Sequence, residues 1–367
     1  PGAAAVLDAF STLSDITSVK ERSASTAVGA TRSGTSCHVI VTPPSNWGAA
    51  LVATTGSRAH LSRLLALPEA AGWRIEAELI IGESDRPLAA PTEAAFYGLL
   101  GLPELPPVLR EDRGEIEAAQ AGTPPELISA TDILGDLHVH SKWSDGRHSI
   151  DAMARAGREH GLSYLVIADH SQSSVIAGGL SVGELAAQRE EIAAVNDRLD
   201  GFHILAGIEL DIKPDGSLDY DDAVLATFDF VTASVHSGFG QSEERVTQRV
   251  LSAMRSPHVD AIGHPTGRLL SRREPLALDM DAVIEAAANT GTALEINANP
   301  DRLDLNDEFA RQAIEAGVQL AINTDAHAVE HLAFLEYGIA TAQRGWVRPR
   351  DVLNARPVEA LLAAGRD

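Results

Sequence analysis

The stretch Asp136-Leu-His-Val-His-Ser-Lys-Trp-Ser-Asp-Gly146 carries two histidines, His138 and His140, one residue apart at the end of an apolar segment. Because alternate side chains of a β-strand share one face, both imidazoles can reach a single metal ion. Asp145 follows in a turn-forming Ser-Asp-Gly, within reach of the same site. The stretch therefore predicts a metal centre at the end of a strand.

Beyond residue 130, apolar strand-like runs alternate with amphipathic helix-like runs, which is typical of β/α units around a parallel sheet. The pattern predicts strands at residues 164–167, 204–208, 230–235, 259–262, 293–296 and 320–322. It predicts helices near residues 149–160, 181–197, 242–255, 279–289, 306–316 and 350–363. The predicted class is α/β.

Side chains that can bind a metal follow these strands one after another. The candidate ligands are His138, His140, Asp145, His170, Glu209, His236, His264, Asp325 and His327. Each of them alone fits an ordinary structural role, but a β/α barrel builds its active site at the carboxyl ends of several strands. Mixed imidazole and carboxylate ligands suit zinc, manganese or iron. Nine ligands exceed the needs of one or two ions, whereas three ions with a shared bridging carboxylate would use them well.

Several residues near these ligands could each have one of two roles. Three basic side chains could bind phosphate oxygens or could be solvated charges, namely Lys142, Arg268 and Arg302. Trp143 could stack on a base or pack, and packing is slightly favoured. Asn297 could bond a ligand or the substrate, or cap its strand. Asp169 could orient His170 or a neighbour.

The amino-acid composition restricts the kinds of function and the compartment that we expect for this protein. The formal net charge of -23 argues against broad non-specific nucleic-acid binding, but not against an enzyme that holds one nucleic-acid end through metals. Solubility alone could also explain the acidity. A single cysteine, Cys37, excludes an intrachain disulfide and fits a reducing compartment. No signal peptide or membrane-spanning run is evident, so we expect a cytoplasmic protein without membrane association.

The first 130 residues have a different organisation. They predict a strand at 37–42, a helix at 57–70, a strand at 73–81 and a charged helix at 110–120. Glycine and proline at residues 121–125 mark a linker, so we place the domain boundary near residue 130.

Several motifs beyond this boundary resemble the PHP (polymerase and histidinol phosphatase) family. They are the opening stretch, Asp169-His-Ser171, Glu209, Ser234-Val-His-Ser-Gly238, Gly263-His-Pro265 and Thr324-Asp-Ala-His327. The resemblance covers about residues 133–345. It implies a distorted (β/α)7 barrel that holds three divalent metal ions, commonly zinc or manganese.

One branch of the family is more similar to this chain than the other branches are. Gly263-His-Pro-Thr-Gly-Arg-Leu-Leu270 and residues 295–305 resemble the PHP domain of bacterial family X DNA polymerases. Thr55-Gly-Ser-Arg-Ala-His60 resembles the Thr-Gly-Ser-x-x-His motif of that polymerase family, and residues 106–119 resemble the stretch that joins the thumb to the PHP domain. The resemblance implies a small α+β domain at 1–130, formed by the end of a palm and a thumb, followed by a PHP domain at 131–367.

The palm region departs from the polymerase pattern. Those enzymes hold two magnesium ions with three carboxylates, and the first two positions would precede residue 1. His38 stands where the third carboxylate is expected, and an imidazole does not replace a hard oxygen ligand of magnesium. We therefore do not expect nucleotide addition.

The resemblance also implies how the ligands are shared and what they do. A first ion would take His138, His140, Glu209 and Asp325, a second Asp145, His170 and His327, and a third Glu209, His236 and His264. The implied activity is metal-dependent phosphoester hydrolysis on DNA 3′ ends, as a 3′→5′ exonuclease or 3′-end-processing enzyme, with repair proteins as partners. Two alternatives stay open, a small-molecule phosphatase of the histidinol-phosphate type and a non-catalytic module that steadies a partner on DNA.

Overall fold

Seven parallel strands form the larger of two structural units in the computed structural model, which describes residues 2–76 and 79–364. The chain divides after Pro125, into units of residues 1–125 and 126–367. The sequence predicted a boundary near residue 130. No described helix combines the length and the apolar character needed to cross a bilayer.

The N-terminal unit mixes short strands with short helices. Its strands are β1 (Ile16–Arg22), β2 (Thr26–Thr31), β3 (Ser36–Ile40), β4 (Arg74–Glu76) and β5 (Leu79–Ile81). Its helices are α1 (Ala3–Ser11), α2 (Trp47–Thr54), α3 (Arg58–Leu65), α4 (Glu93–Leu99) and α5 (Glu115–Gln120). Strands β1, β2 and β3 form an antiparallel sheet in that order, and β4 pairs with β5. The single strand predicted at 73–81 is therefore wrong, because two antiparallel strands occupy it.

Buried polar groups fix the turn before α3. Ser57 caps this helix by accepting a hydrogen bond from the His60 N–H at 3.1 Å. The His60 ring is fully buried and lies 2.5 Å from the Glu115 carboxylate through Nδ1 and 3.0 Å from the Tyr97 hydroxyl through Nε2. Gly56 has a φ of 87°, and a Cβ there would lie 2.3 Å from that of Arg110. Only glycine fits this position, because the backbone of Arg110 approaches the turn at close range.

The C-terminal unit is a barrel of alternating strands and helices. Its strands are β6 (Gly135–Val139), β7 (Tyr164–Ile167), β8 (His203–Asp211), β9 (Phe230–Ser234), β10 (Ala261–Ile262), β11 (Ala293–Asn297) and β12 (Leu320–Asn323). Its helices are α6 (Ile150–Glu159), α7 (Val182–Asn196), α8 (Asp222–Leu225), α9 (Glu243–Ala253), α10 (Met280–Thr290), α11 (Asp307–Glu315), α12 (Leu335–Arg344) and α13 (Val358–Ala364). Adjacent strands pair in parallel in chain order from β6 to β12.

The sheet nearly closes on itself. Val139, at the end of β6, forms a parallel bridge with Ala326, just beyond β12. The His140 N–H donates to the Ala326 carbonyl at 2.9 Å. This near-closure confirms the predicted seven-stranded β/α barrel and gathers the carboxyl ends of all seven strands around one opening.

Alternation along the strands separates two layers of the barrel core. In β7, Leu165 and Ile167 pack with residues of the surrounding helices, whereas Tyr164 and Val166 belong to a second cluster made mainly of strand residues. Leu361 of α13 joins that second cluster. Successive strand side chains point to opposite faces, which accounts for this division.

The predicted elements of this unit agree with the structure except near its end. The six predicted strands and the first five predicted helices are confirmed, with ends that differ by a few residues. The predicted helix at 350–363 begins only at Val358, after 3-10 turns at Pro349–Asp351 and Leu353–Ala355. Pro357 disfavours a helical conformation at the residue before it, which explains the late start. Helices α8 and α12 were not predicted.

Candidate metal centre

The structure brings all nine predicted ligand side chains to the carboxyl-terminal opening of the barrel. His138 lies in β6 and Glu209 in β8, and the other seven follow the ends of their strands. Those seven are His140 and Asp145 after β6, His170 after β7, His236 after β9, His264 after β10, and Asp325 and His327 after β12. Parallel strands direct their carboxyl ends to the same side, so residues far apart in sequence meet there.

Glu209 is the centre of the cluster. Its side chain is almost fully buried, and its two carboxylate oxygens face five imidazoles. The distances are 2.9 Å to His170 Nδ1, 3.0 Å to His236 Nε2, 2.9 Å to His264 Nε2, 3.5 Å to His138 Nε2 and 3.6 Å to His140 Nε2. A carboxylate in this position can bridge more than one cation.

Two aspartates complete the cluster on the other side of His140. Asp145 Oδ1 lies 3.2 Å from His327 Nε2, 3.6 Å from His170 Nε2 and 3.8 Å from His140 Nδ1. Asp325 Oδ1 lies 3.2 Å from His140 Nε2 and 3.8 Å from His138 Nε2. His140 therefore lies between the two aspartates.

Within residues 2–76 and 79–364, three sets of side chains have ligand atoms within 4.8 Å of one another. They are His140, Asp145, His170 and His327; then His138, His140 and Asp325; then His170, Glu209 and His236. They overlap the three sets implied by resemblance, although His140 and His170 each belong to two of them. The distribution of ligands among ions stays a prediction.

Unsatisfied nitrogen atoms show that this donor set suits metal ions. His138 Nε2, both ring nitrogens of His140, and His170 Nδ1 are buried and have no hydrogen-bond partner of acceptable geometry. Buried polar atoms are almost always satisfied, so several orphans in one place need an explanation. A neutral imidazole nitrogen is a common metal ligand, and with carboxylate oxygens it suits zinc, manganese or iron.

Electrostatics favour the ligand forms of Glu209 and His140. Burial alone would raise the pKa of Glu209, but the imidazoles of His236, His170 and His138 lower it well below its usual value. Burial also lowers the pKa of His140 to about 3, reinforced by His327 and His170. Near neutral pH the structure therefore presents an ionised carboxylate and an unprotonated imidazole. For His138, His170 and His236, nearby carboxylates outweigh burial and raise the pKa, so a metal ion would have to displace a proton from these rings.

Two carboxylates that sequence reasoning missed orient the histidines. Glu295 Oε1, in β11, lies 2.8 Å from His138 Nδ1, and Asp211 Oδ1, at the end of β8, lies 2.7 Å from His236 Nδ1. Metal-binding histidines commonly bond a carboxylate through the second ring nitrogen, which fixes the ring and its tautomer. Asp211 could have been found, because it lies two residues after Glu209 and thus on the same strand face.

Replacing Glu295 by glutamine is expected to weaken metal binding by roughly 10- to 100-fold, because the amide no longer holds His138 with a charge. Glutamine keeps the size of the side chain, so the fold should persist. Calorimetric titration of metal-free protein with manganese measures the change. Glu285→Gln, on an exposed part of α10, is the matched control. Equal affinities for the two variants would contradict the role of Glu295.

The three predicted phosphate clamps lie in different environments. Arg302 Nε is 3.4 Å from Asp325 Oδ2, and its NH1 nitrogen is buried without a hydrogen-bond partner. The Arg268 guanidinium instead donates to the backbone carbonyls of Arg302, at 2.8 Å, and Leu303. Lys142 is exposed. Arg302 is thus the cation placed against the cluster, and Arg268 braces the loop that carries it.

Asp169 supports the turn of Asp145. Its carboxylate accepts hydrogen bonds from the Ser141 N–H at 2.8 Å, the Ser144 hydroxyl at 2.5 Å and the Gln188 amide at 2.6 Å. The side chain therefore orients a neighbouring segment, the second of the two roles considered for it.

Asn297 and Trp143 also adopt one of their alternative roles. The Asn297 amide donates to Asp325 Oδ2 at 3.2 Å, so it bonds a predicted ligand. Trp143 packs against the main core and donates its Nε1–H to Glu191 at 2.8 Å. The packing interpretation of Trp143 is confirmed.

Comparison with known proteins assigns both parts of the chain. The PHP domain family matches residues 136–299, and the DNA polymerase beta thumb family matches residues 50–111. A protein named probable phosphatase, from Caldanaerobacter subterraneus subsp. tengcongensis, is 30% identical over 52% of this chain and 75% of its own length. The chain belongs to the PHP family.

A longer relative matches both the PHP barrel and the thumb-like region before it. The protein named DNA polymerase/3′-5′ exonuclease PolX, from Bacillus subtilis, is 46% identical over 84% of this chain. The chain spans about half of that relative, 54% of its length. Among solved structures, histidinol phosphate phosphatase from Lactococcus lactis aligns at a TM-score of 0.41 and 19% identity, over 57% of this chain and 93% of that one.

Proposed function

We propose that this chain is a metal-dependent phosphoesterase that acts on DNA 3′ ends, removing nucleotides or blocking phosphates. The observation that carries the proposal is the buried cluster around Glu209, with unsatisfied imidazole nitrogens at the opening of the barrel. The relative that matches both parts of the chain is named as a 3′-5′ exonuclease, which supports DNA as the substrate. The thumb-like region at residues 50–111 supports it further.

The nine side chains would hold three divalent ions, manganese or zinc, with iron as a further choice of similar ligand preference. The sets implied by resemblance are His138, His140, Glu209 and Asp325; Asp145, His170 and His327; and Glu209, His236 and His264. When bound, such ions polarise phosphoryl oxygens and lower the pKa of coordinated water, which makes hydrolysis feasible near neutral pH.

The protein contributes position and charge around the reacting phosphate. The solvent-facing edge of the cluster consists of Asp145, His236 and His327, with side chains 36%, 23% and 27% exposed, whereas His138 and His140 are fully buried. A phosphodiester would therefore approach over that edge. The unpartnered NH1 of Arg302 would donate to a phosphoryl oxygen as charge develops there.

Nucleotide addition is not part of the proposal. His38 is exposed on β3, opposite Val28 of β2. It supplies an imidazole where the polymerase resemblance calls for a magnesium-binding carboxylate, and magnesium prefers oxygen ligands. We expect no primer extension when deoxynucleoside triphosphates are supplied.

A small-molecule phosphatase is the second candidate. Proteins named probable phosphatases from Thermoanaerobacter align over 60% of this chain and 89% of their own length, at 29% identity. These alignments therefore leave a large part of the chain uncovered. Hydrolysis of a small monoester needs no unit that binds DNA, so the presence of the thumb-like region favours DNA as the substrate.

The deciding experiment uses a 5′-labelled single-stranded DNA with manganese, a chelator control, and a parallel assay of histidinol phosphate. Chelator-sensitive shortening from the 3′ end, lost in His138→Ala but kept in the exposed-surface control His160→Ala, is the expected result. Phosphate release from histidinol phosphate alone would favour the second candidate. Full activity of His138→Ala would contradict the assigned site.

A further inference from the structure

The loop between β7 and α7 carries an exposed apolar tip next to the metal centre. At this tip, Val175 is 79% exposed and Ile176 is fully exposed, at 105% of its reference area. Single apolar residues on a surface are ordinary, so exposure alone has no functional meaning. What relates this tip to the metal centre is the way in which its loop is anchored.

The base of the loop is pinned by backbone hydrogen bonds. The Leu180 N–H donates to the His170 carbonyl at 2.9 Å, and Ser171 forms a parallel bridge with Leu180. The Gly179 N–H donates to the Ser174 carbonyl at 3.1 Å. Only residues 175–178 project beyond this base, so the tip has a defined position relative to His170.

One side of the tip is connected to His236. The Ser173 and Ser174 hydroxyls donate to Asp211 Oδ2 at 2.8 and 2.6 Å, and Asp211 Oδ1 is the partner of His236 Nδ1. The same carboxylate therefore orients a predicted ligand and anchors the start of the tip.

The other side of the tip lies against the turn of Asp145. Gly178 ends the tip with a φ of 69°, and a Cβ there would lie 3.8 Å from the carbonyl oxygen of Ser144, the residue before Asp145. The tip is thus held between Asp211, the partner of His236, and Ser144, the neighbour of Asp145, and both His236 and Asp145 belong to the solvent-facing edge of the cluster.

Exposed apolar side chains concentrate at this end of the barrel. Within the described part of the C-terminal unit, the large ones are Val175, Ile176, Val182, Phe239, Leu270 and Tyr337. Four of these six lie in loops that follow β7, β9 and β10, on the face where a substrate enters. The ligand cluster itself consists of imidazoles and carboxylates, so these loops provide the exposed apolar surface at this face.

We propose that Val175 and Ile176 pack against the base of the 3′-terminal nucleotide while its phosphodiester lies on the metal centre. The inference rests on the proposed function and adds a residue-level determinant of substrate binding. A nucleobase offers two apolar faces whatever its identity, so this contact is tolerant of sequence. It is also uncharged, which suits a chain with a formal net charge of -23, because ionic attraction to DNA is weak in such a chain.

The test compares the wild type with the double variant Val175→Ser/Ile176→Ser on two DNAs. One DNA ends in an ordinary nucleotide, and the other ends in a tetrahydrofuran residue that lacks the base. The variant should show a KM raised on the order of tenfold for the ordinary end, with little change in kcat. On the tetrahydrofuran end the two proteins should be equal, since the base contact is missing from both.

Val182→Ser, at the exposed first residue of α7, is the matched control and should behave as the wild type. Equal KM values for wild type and double variant on the ordinary end would overturn the proposal. A similar loss on both DNAs would also overturn it, because the tip would then act only through the fold. Unchanged KM with an altered mass by light scattering would assign the tip to self-association instead. No nucleotide release by the wild type would overturn the proposed function first, and the base contact with it.

Discussion

Glu209→Gln should lower phosphoesterase activity at least about a thousandfold, which corresponds to about 4 kcal/mol of transition-state stabilisation. Among the residues that the structure describes, this carboxylate is the one acidic group that lies close to five imidazoles, at 2.9 to 3.6 Å. Glutamine has the same size but no charge, and it cannot bridge two cations in the same way. The bound ions would therefore lose their shared ligand and their closest neutralising charge.

Activity of this variant is measured on the 5′-labelled DNA, together with the metal content of the purified protein. Glu285→Gln provides the control, since that side chain is exposed on α10. Thermal unfolding of both variants separates a loss of metal from a loss of fold. If Glu209→Gln kept more than about a tenth of the activity, the site assignment would be wrong.

Glu115→Gln should destabilise the N-terminal unit by about 3 kcal/mol near neutral pH. The Glu115 side chain is fully buried and lies 2.5 Å from His60 Nδ1, and it accepts the backbone N–H groups of Asp112 and Arg113 at 2.8 and 2.6 Å. Burial alone would raise the pKa of this carboxyl, but these hydrogen bonds lower it from 4.5 to about 2. The amide keeps the shape and loses the charge.

The effect should depend on pH in one direction. Because the pKa of Glu115 is lower in the folded state than in the unfolded state, its contribution is complete above about pH 4.5 and is lost as the pH falls towards 2. The difference in unfolding free energy between wild type and Glu115→Gln should therefore shrink across that window. Urea unfolding followed by Trp47 and Trp73, with Trp143 and Trp346 replaced by phenylalanine, reports on the N-terminal unit.

Glu117→Gln is the control for this experiment because it lies in the same helix and its side chain is 54% exposed. An exposed ion pair contributes little, so this variant should change stability by less than about 1 kcal/mol at any pH. Equal effects of the two substitutions would show that the buried network does not stabilise the unit.

The strands and helices of the barrel could be predicted from sequence because the strands are short buried apolar runs separated by amphipathic helices, whereas the seven-stranded barrel was implied by the family resemblance. Tyr164–Ile167, for example, is fully buried and was predicted with its observed bounds. The N-terminal unit was harder. β1 has mostly exposed side chains and β4 and β5 are three residues each, so no apolar periodicity identifies them.

The positions of the candidate ligands were predictable for a related reason. A polar residue directly after an apolar strand is easily recognised in a sequence. The carboxyl ends of parallel strands must meet at one face of a barrel. The partners of these ligands were less conspicuous. Glu295 lies inside a strand with apolar neighbours, and only the packed barrel shows that it faces His138 at 2.8 Å.

The sequence by itself determined the alternation of strands and helices and the nine candidate ligands at or after the strand ends, because strand periodicity and the placement of polar residues are local properties of the chain. Tertiary structure decided which side chains touch. It placed Glu209 between five imidazoles, assigned Arg268 to the carbonyls of Arg302 and Leu303, and anchored the loop of Val175 and Ile176 to Asp211 and to the His170 carbonyl. These contacts join residues that are distant in sequence, and their geometry depends on barrel closure and loop anchoring, which no local pattern encodes.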